Sequence, residues 1–268
     1  MRHWRNPKGK GVRPYGAVFF RHRKQPPCGA GLAGKLGDEL VSLNEVFKAR
    51  KEWVFRSEAP YVLVAPIYAW RLPKQVEAFL KRARLLGNRQ IYVLATMGQS
   101  SGAAWEYCKA AVEGNGMAFM GFQGIVMPDN YMVSYPMPSR EEAASIIKSA
   151  LPVLAQAAAA IQKGEPLPNR RHSPVGRLLS GPVNWSFNRF MANSRSFRVS
   201  DACVQCGKCV RECPVNNIAL EQGAITFGTR CMFCLGCIHK CPVHAIDYKG
   251  RGRKNGYYTC PSLEEVLP

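Results

Sequence analysis

Eight cysteines near the C-terminus stand in two runs that share one spacing, Cys-x2-Cys-x2-Cys-x3-Cys-Pro. Three cysteines at intervals of three residues can surround one inorganic cube of iron and sulfide, while the fourth, set off by a proline, points away from it. The spacing therefore predicts 4Fe–4S ligation. The predicted ligands are Cys203, Cys206, Cys209 and Cys213 in the first run and Cys231, Cys234, Cys237 and Cys241 in the second.

Zinc sites and disulfides are the alternatives for so many cysteines. Structural zinc sites use pairs of close cysteines separated by a longer gap, and they give no role to the third cysteine of each run or to the Cys-Pro step. Disulfides suit a secreted chain, whereas no cleavable apolar leader is visible at the N-terminus. We therefore expect iron–sulfur chemistry in a reducing, cytoplasmic compartment.

The two runs also form an internal repeat. Residues 203–218 align with residues 231–246, and apolar positions match, as at Val210 and Ile238. In two-cluster proteins with this spacing, the fourth cysteine of each run ligates the cluster of the other run. This predicts two crossed ligand sets, which are Cys203, Cys206, Cys209 with Cys241, and Cys231, Cys234, Cys237 with Cys213.

A module of this size has little room for an apolar core, so the bound clusters are expected to nucleate its folding. Short strands are predicted near Arg198–Val199, Ala224–Phe227 and Ile246–Tyr248. His239 and His244 are predicted to be packing or surface residues rather than ligands.

The part of the chain before the cysteines alternates apolar runs with helical patterns. Strands are predicted at Tyr61–Ala65, Ile91–Thr96 and Phe119–Met127, with earlier candidates at Tyr15–Phe20 and Lys35–Leu43. Helices are predicted at Leu72–Leu86, at Gly102–Glu113 with Gly114 as its C-terminal cap, and from a capping box at Ser139 and Glu142 to about Gln162. Strands that alternate with helices imply right-handed crossovers and a mostly parallel sheet covered on both faces.

Here the chain resembles a family, the EFR1-type ferredoxins, in which a flavodoxin-like domain is fused to a bacterial two-cluster ferredoxin domain. The likeness covers about residues 36–260 and is carried by Ala65–Pro73, Leu94–Gly98, Pro128–Tyr131 and Phe197–Cys203. It implies an α/β flavodoxin-like doubly wound parallel sheet followed by a small α+β ferredoxin-like domain. It also implies electron transfer as the function.

By this likeness, the loops after the third and fourth strands of the flavodoxin-like domain would hold FMN. Tyr68 and Trp70 would flank the isoalloxazine ring, while Thr96, Met97 and Gly98 would approach its edge. A flat aromatic side chain stacks on a flavin and tunes its potential. The alternative is that Trp70 only covers the edge of the sheet.

Composition and resemblance together divide the chain into five segments. They are an aberrant basic segment (1–28), the flavodoxin-like domain (29–162, its first strand at 15–20 if that segment is a strand), a linker (163–197), the ferredoxin domain (198–250) and a basic tail (251–268). The linker contains four aromatic residues, Trp185, Phe187, Phe190 and Phe197. A pure linker does not need them, so part of it is expected to pack between the domains.

The phosphate-binding signature of the family, Ser-Gly-Thr-Gly-Asn-Ser/Thr after the first strand, is missing. Residues 20–28 read Phe-Arg-His-Arg-Lys-Gln-Pro-Pro-Cys and lack the glycines and hydroxyls that cradle a phosphate. If residues 20–27 were encoded TTC CGG CAC CGG AAA CAG CCG CCG, which is one permitted choice of codons, reading one base later would give Ser-Gly-Thr-Gly-Asn-Ser-Arg. We therefore hypothesise that residues 1 to about 28 are translated out of frame, with a genuine basic extension as the alternative.

The chain is strongly basic, with a formal net charge of +19. Nine basic residues and no acid lie in residues 1–35, and another basic cluster lies between Lys163 and Arg198. Such a surface attracts nucleic acid, an acidic membrane or an acidic redox partner. No nucleic-acid motif accompanies it, so we expect redox partner proteins, acidic ones among them, and no nucleic acid.

Two further functions are not indicated by the sequence. The longest apolar stretch, around Leu151–Ile161, is too short to span a membrane. No acid–base pair or activated nucleophile is visible, so the chain is expected to be an electron carrier or a component of an oxidoreductase rather than a stand-alone catalyst.

Overall fold

The computed structural model describes residues 16–19, 39–168 and 173–266. Its first part contains seven strands, β1 (Gly16–Phe19), β2 (Glu39–Ser42), β3 (Val54–Ser57), β4 (Tyr61–Pro66), β5 (Arg84–Gly87), β6 (Gln90–Met97) and β7 (Ala118–Val126). Five of them form one parallel sheet in the order β2-β1-β4-β6-β7. When only these five strands are numbered in chain order, their order in the sheet is 2-1-3-4-5, which is the flavodoxin-like doubly wound order. The predicted fold class is therefore confirmed.

Helices cover both faces of this sheet. They are α1 (Leu43–Ala49), α2 (Lys74–Arg82), α3 (Ala104–Gly114) and α4 (Arg140–Gln162). Residues of β4 alternate between two cores, because successive strand side chains point to opposite faces. Leu63 packs with side chains of α1, α2 and α3, whereas Val62 and Val64 pack with side chains of α4.

Helix α4 begins at the predicted capping box. Ser139 Oγ accepts a hydrogen bond from the Glu142 amide at 3.1 Å, and the Glu142 carboxylate accepts one from the Ser139 amide at 2.8 Å. By length and composition alone this helix is long and apolar enough to cross a membrane, as core helices of globular domains also can be. Its buried side chains, Ile147 and Leu154 among them, pack on the sheet.

The small β3–β5 pair shortens one predicted element. The helix predicted at Leu72–Leu86 ends at Arg82, because Arg84–Gly87 forms β5 and pairs in parallel with β3. The hydroxyl of Tyr61 lies between the two strands, where it donates to the Leu86 carbonyl at 2.7 Å and lies 3.2 Å from the Phe55 carbonyl.

Other boundaries also differ from the prediction. The strand predicted at Lys35–Leu43 is confined to Glu39–Ser42 in the described residues, since Leu43 begins α1. Gly114 is the last residue of α3 rather than its cap, and the left-handed glycine after this helix is Gly116, with φ 74°.

Gly121 lies in β7 where the chain beyond α4 crosses the strand. Its φ is 104°, and a Cβ added to it would overlap the carbonyl of Leu167, whose amide donates to Met120 at 2.7 Å. We expect Gly121→Ala to lower the free energy of unfolding by about 2–4 kcal/mol, through backbone strain and the overlap. Urea unfolding followed by circular dichroism measures this.

Gly114→Ala is the matched control, because nothing lies within 4 Å of its added Cβ. Alanine is the better helix former, so this variant should be unchanged or up to about 1 kcal/mol more stable. Equal unfolding midpoints for the two variants would contradict the proposed close approach.

The two parts of the chain are joined by one helical stretch, residues 174–191, which we name the connecting helix. It consists of α5 (Pro174–Leu178), a π-helical turn (Leu179–Val183), α6 (Asn184–Ser186) and a second π-helical turn (Phe187–Met191). Its inner positions Gly176, Ser180 and Asn184 are buried and recur every four residues. An α-helix makes one turn in about 3.6 residues, so positions four residues apart gradually leave a common face. The π-helical turns are wider than α-helical turns and offset this drift, which keeps Gly176, Ser180 and Asn184 on one face.

The cysteine runs lie in a small second part. It contains β8 (Phe197–Val199), α7 (Lys208–Glu212), β9 (Ile218–Glu221), β10 (Ala224–Phe227), α8 (Gly236–His239), β11 (Ile246–Tyr248) and α9 (Arg251–Asn255). The last helix, α10 (Leu263–Val266), packs instead on α4, where Val266 joins the core of the α/β part. The β8 strand pairs with β11 and β9 pairs with β10, both antiparallel. The three predicted strands are confirmed, and β9 was missed.

Candidate iron–sulfur site

The two cysteine runs repeat each other in backbone conformation as well as in sequence. At three equivalent pairs of positions both residues have a left-handed backbone, namely Gln205 and Phe233, Gly207 and Leu235, and Asn216 and His244. This conformation costs a residue other than glycine about 1–2 kcal/mol. Such strain persists where the surrounding structure needs the turn, and here each turn lies beside predicted cluster ligands.

The fourth cysteine of each run has the same hydrogen bond. The amide of Asn217 donates to Cys213 Sγ, and the amide of Ala245 donates to Cys241 Sγ, each at 3.2 Å. Hydrogen bonds to cluster sulfurs raise the reduction potential by stabilising the added negative charge. The two cysteines that were predicted to cross between sites are therefore held by equivalent turns.

The sulfur of Cys213 lies next to the second run. Burial raises the pKa of the Cys231 thiol to about 11 and that of Cys234 to about 12, and Cys213 is among the neighbouring thiolates that raise them further. The pKa of Cys237 is also well above its usual range, through burial first and then through Cys234, Cys231, Cys213 and, as the smallest contribution, Cys209 of the first run. The structure thus brings Cys213 together with Cys231, Cys234 and Cys237.

The first three cysteines of the first run form a neighbouring group. Burial raises the pKa of Cys209, and Cys203 and Cys206 are close enough to raise it further. Cys241 lies near Tyr257, whose pKa it raises after the larger effects of burial and of Asp247.

Iron binds cysteine as the thiolate. Cluster binding must therefore release the protons of these thiols, whose raised pKa values keep them protonated in the absence of iron. The donor set and the amides directed at sulfur fit a 4Fe–4S cluster. Across residues 39–168 and 173–266, no group of three or more Cys, His, Asp or Glu side chains is arranged to hold a single metal ion.

The two groups of cysteines differ in their surroundings. In the first run, Cys206 is exposed and its neighbour Val204 is 60% exposed. In the second run, Met232 is buried in the core of the α/β part, and Cys234 packs against that core. The first group therefore faces solvent, whereas the second faces the flavodoxin-like domain.

Polar contacts fix the two domains together near α1. The Lys48 ammonium donates to the carbonyls of Val210 at 3.5 Å and of Arg211, and the Asn216 side-chain amide donates to the Lys48 carbonyl at 2.9 Å. These contacts join the C-terminal end of α1 to the first cysteine run.

His239 forms a second link and is buried in it. The Tyr258 amide donates to Nδ1 at 3.1 Å, so the proton of the neutral ring is on Nε2, which donates to the Asn130 carbonyl at 2.8 Å. Asn130 belongs to the loop after β7. The packing role predicted for His239 is thus observed, and His244 is exposed and stacks on Tyr257 with ring centroids 3.8 Å apart.

Tyr68, predicted to flank a flavin, is buried beside the second cysteine group. Its pKa is raised well above 10, mainly by burial and then by the thiolates of Cys234 and Cys231. A cavity of only about 30 Å³ lies between Tyr68, Leu72, Phe187 and Cys231. The Tyr68 side chain therefore belongs to the boundary between the two domains.

The other four predicted flavin residues lie at the carboxyl ends of β4 and β6. Thr96 and Met97 are buried, while Trp70 and Gly98 are partly exposed. A Cβ added to Gly98 would lie 2.5 Å from a carboxylate oxygen of Asp129, so that side chain closes over the Gly98 backbone.

The connecting helix binds the loop that carries Trp70. Asn184 donates to the Ala69 carbonyl at 2.8 Å, and Ser180 Oγ donates to the Trp70 carbonyl at 2.7 Å. On the other side of the connecting helix Phe187 contacts Phe233 of the cysteine-bearing part with ring centroids 5.9 Å apart, so this stretch of the predicted linker packs between the two parts. The segment of the missing phosphate loop, residues 20–28, lies outside the described residues.

Comparison with known proteins identifies the C-terminal module. A family model described as a 4Fe-4S dicluster domain matches residues 195–242. No curated protein matches the chain.

Solved structures that are similar to the chain include the following two. One is general stress protein 14 from Treponema denticola in complex with FMN, with a TM-score of 0.41 and 10% identity, covering 56% of this chain and 100% of that one. The other is two-electron reduced flavodoxin from Megasphaera elsdenii, with a TM-score of 0.27 and 16% identity, covering 52% of this chain and 98% of that one. The fold itself follows from the strand order, and the family match adds that this chain carries a 4Fe–4S ferredoxin domain behind its flavodoxin-like domain.

Proposed function

We propose that this protein transfers electrons through two 4Fe–4S clusters held by crossed ligand sets. The first set is Cys203, Cys206, Cys209 and Cys241, and the second is Cys231, Cys234, Cys237 and Cys213. The strongest support is that Cys213 is near enough to Cys231, Cys234 and Cys237 to raise the pKa of all three, whereas Cys209 contributes to that of Cys237 alone. The matching amide hydrogen bonds to Cys213 and Cys241 extend the argument to the first set by symmetry.

Each bound cluster supplies one-electron transfer, with a potential set by hydrogen bonds and solvent exposure. Burial is the main cause of the raised pKa values of Cys231, Cys234 and Cys237, whereas Cys206 is exposed. Lys208 and Arg211 stand close to Cys206 in sequence, and the Arg211 guanidinium donates to the Cys206 carbonyl at 2.8 Å. We infer that a redox partner with an acidic surface docks at this face, because its charge would complement these cations.

FMN in the flavodoxin-like domain is the second part of the proposal. Its ring would lie at the carboxyl ends of β4 and β6, near Trp70 and Gly98, where ligands of this fold bind. The residues do not supply a phosphate site, since residues 20–28 lack the required glycines and hydroxyls. The chain as written should therefore bind FMN weakly, and the EFR1-type resemblance and the frame hypothesis remain proposals.

Cofactor content of anaerobically purified protein tests both parts. We expect about eight iron and eight sulfide atoms per chain, but less than about one tenth of an equivalent of flavin, because the phosphate supplies much of the binding energy of FMN. The matched control replaces residues 20–26 with Ser-Gly-Thr-Gly-Asn-Ser-Arg and should gain flavin. Stoichiometric FMN on the unaltered chain would contradict the expectation for flavin, and zinc or free thiols would contradict the clusters.

The coding sequence itself tests the frame hypothesis. Resequencing should reveal Ser-Gly-Thr-Gly-Asn-Ser codons one base out of frame with residues 20–25. An undisturbed reading frame without these hidden codons would end the hypothesis and leave a genuine basic extension.

A cofactor-free flavodoxin-like domain that docks a partner oxidoreductase is the alternative function. Two observations at the carboxyl ends of β4 and β6 favour this alternative. Asn184 and Ser180 hold the loop at Ala69 and Trp70 in place by hydrogen bonds. The Asp129 side chain covers the backbone at Gly98. Under this alternative, the control with the restored phosphate loop also fails to acquire FMN and its optical spectrum has iron–sulfur bands alone.

A further inference from the structure

The connecting helix has the opposite polarity from an ordinary surface helix. Its buried face carries Ser180 and Asn184, which are 0% and 4% exposed and donate to backbone carbonyls of the α/β part. Its outer face carries large apolar side chains, Val175, Leu178, Trp185 and Phe190, which are 65%, 56%, 64% and 62% exposed. Surface helices of soluble domains normally bury their apolar side, so this outer face is suited to an apolar environment.

The aromatic side chains of this face form one surface. The rings of Trp185 and Phe190 meet edge to face with centroids 6.0 Å apart, and the Arg189 guanidinium lies 5.3 Å from the Phe190 centroid. Met191, also exposed, follows directly. Indole, phenyl and guanidinium groups in this arrangement suit the boundary between lipid tails and headgroups, where apolar bodies and cations are both accommodated.

The sequence that contains the helix is almost entirely positive in charge, although Arg177 is paired with Glu106 of α3 at 3.0 Å. Residues 163–198 contain a single acid, Glu165, and seven basic residues, which are Lys163, Arg170, Arg171, Arg177, Arg189, Arg195 and Arg198. A second copy of the chain would bring the same charges together, and the N-terminal segment, with nine basic residues in 1–35, has the same sign. An anionic lipid surface instead complements both the apolar side chains and the arginines.

We propose that the connecting helix docks this protein on an anionic bilayer, lying in the headgroup region with Trp185 and Phe190 inserted. Phe187, on the other side of the same helix, contacts Phe233 with ring centroids 5.9 Å apart, and Phe233 stands between Cys231 and Cys234 in the chain. Docking would therefore bring the second cysteine group to within one helix of the lipid. The docking does not depend on flavin binding.

Vesicle flotation of the anaerobic holo-protein tests the proposal. We expect binding to phosphatidylcholine vesicles that contain about one third phosphatidylglycerol, and little binding to pure phosphatidylcholine. Trp185→Ser combined with Phe190→Ser should weaken binding to the anionic vesicles by about tenfold or more, because two large apolar side chains no longer leave water. Arg189→Gln should weaken it less and reduce its salt dependence.

Tyr135→Ser combined with Leu220→Ser is the matched control, since these residues are 56% and 40% exposed elsewhere on the surface. This control should bind like the unaltered protein, and the iron content of all variants reports their folding. In the unaltered protein, brominated lipid should quench Trp185 fluorescence.

Three results would overturn the proposal. The first is the absence of binding to anionic vesicles. The second is that the Trp185/Phe190 variant binds these vesicles as strongly as the unaltered protein, which would assign the binding to the basic N-terminus. The third is a dimer in gel filtration that this variant converts to a monomer without vesicle binding by either, which would make the face a contact between copies of the chain.

Discussion

Cys213→Ala should remove the cluster of the second run and leave that of the first. Cys213 belongs to the first run in sequence, but its sulfur lies with Cys231 and Cys234. Iron should fall from about eight to about four atoms per chain, because a cubane that has lost one of its four thiolates is poorly held. Iron analysis and EPR of the reduced protein measure the loss and identify the surviving cluster by its environment.

Cys241→Ala is the reciprocal variant and should affect the first cluster instead. Cys260→Ala is the control, since Cys260 lies outside both runs and packs at the edge of the α4 core. It should retain full iron. Loss confined to the run in which each cysteine stands would contradict the crossed ligand sets.

His239→Ala should lower the free energy of unfolding by about 2–4 kcal/mol. The imidazole satisfies two buried backbone groups, the Asn130 carbonyl and the Tyr258 amide. Each buried polar group left without a partner costs about 1–3 kcal/mol. Anaerobic urea unfolding, followed at the iron–sulfur absorption, measures the change.

His244→Ala provides the comparison for this variant. His244 is exposed and contributes a ring stack on Tyr257. Its loss should cost less than about 1 kcal/mol, as expected of a surface aromatic contact. An equal effect of the two substitutions would contradict the role of His239 as a link between the domains.

The main features of the fold were predictable because their signals are local. Continuous apolar runs such as Tyr61–Pro66 predict strands buried on both faces, and Ser139 with Glu142 marks the start of α4. The cysteine spacing is equally local, since each run sets its own loop around a cluster. These signals need no knowledge of distant contacts.

The features that escaped prediction depend on distant partners. The Val54–Ser57 strand has no clear period and exists because Arg84–Gly87 pairs with it. The buried polar positions of the connecting helix look like solvent positions until the loop carbonyls of Ala69 and Trp70 are in place. The role of His239 likewise becomes visible only when Asn130 and Tyr258 meet it.

Strand β8, which begins the cysteine-bearing part, is hydrogen-bonded to β11, which follows the second run. The points where the chain enters and leaves the module therefore lie side by side. A module whose two ends lie side by side can be joined to another domain through a short linker without distortion of its own fold. Exchange of the partner domain would therefore leave the β8–β11 pairing intact, but it would expose Met232 and Cys234, which pack on the core of the α/β part.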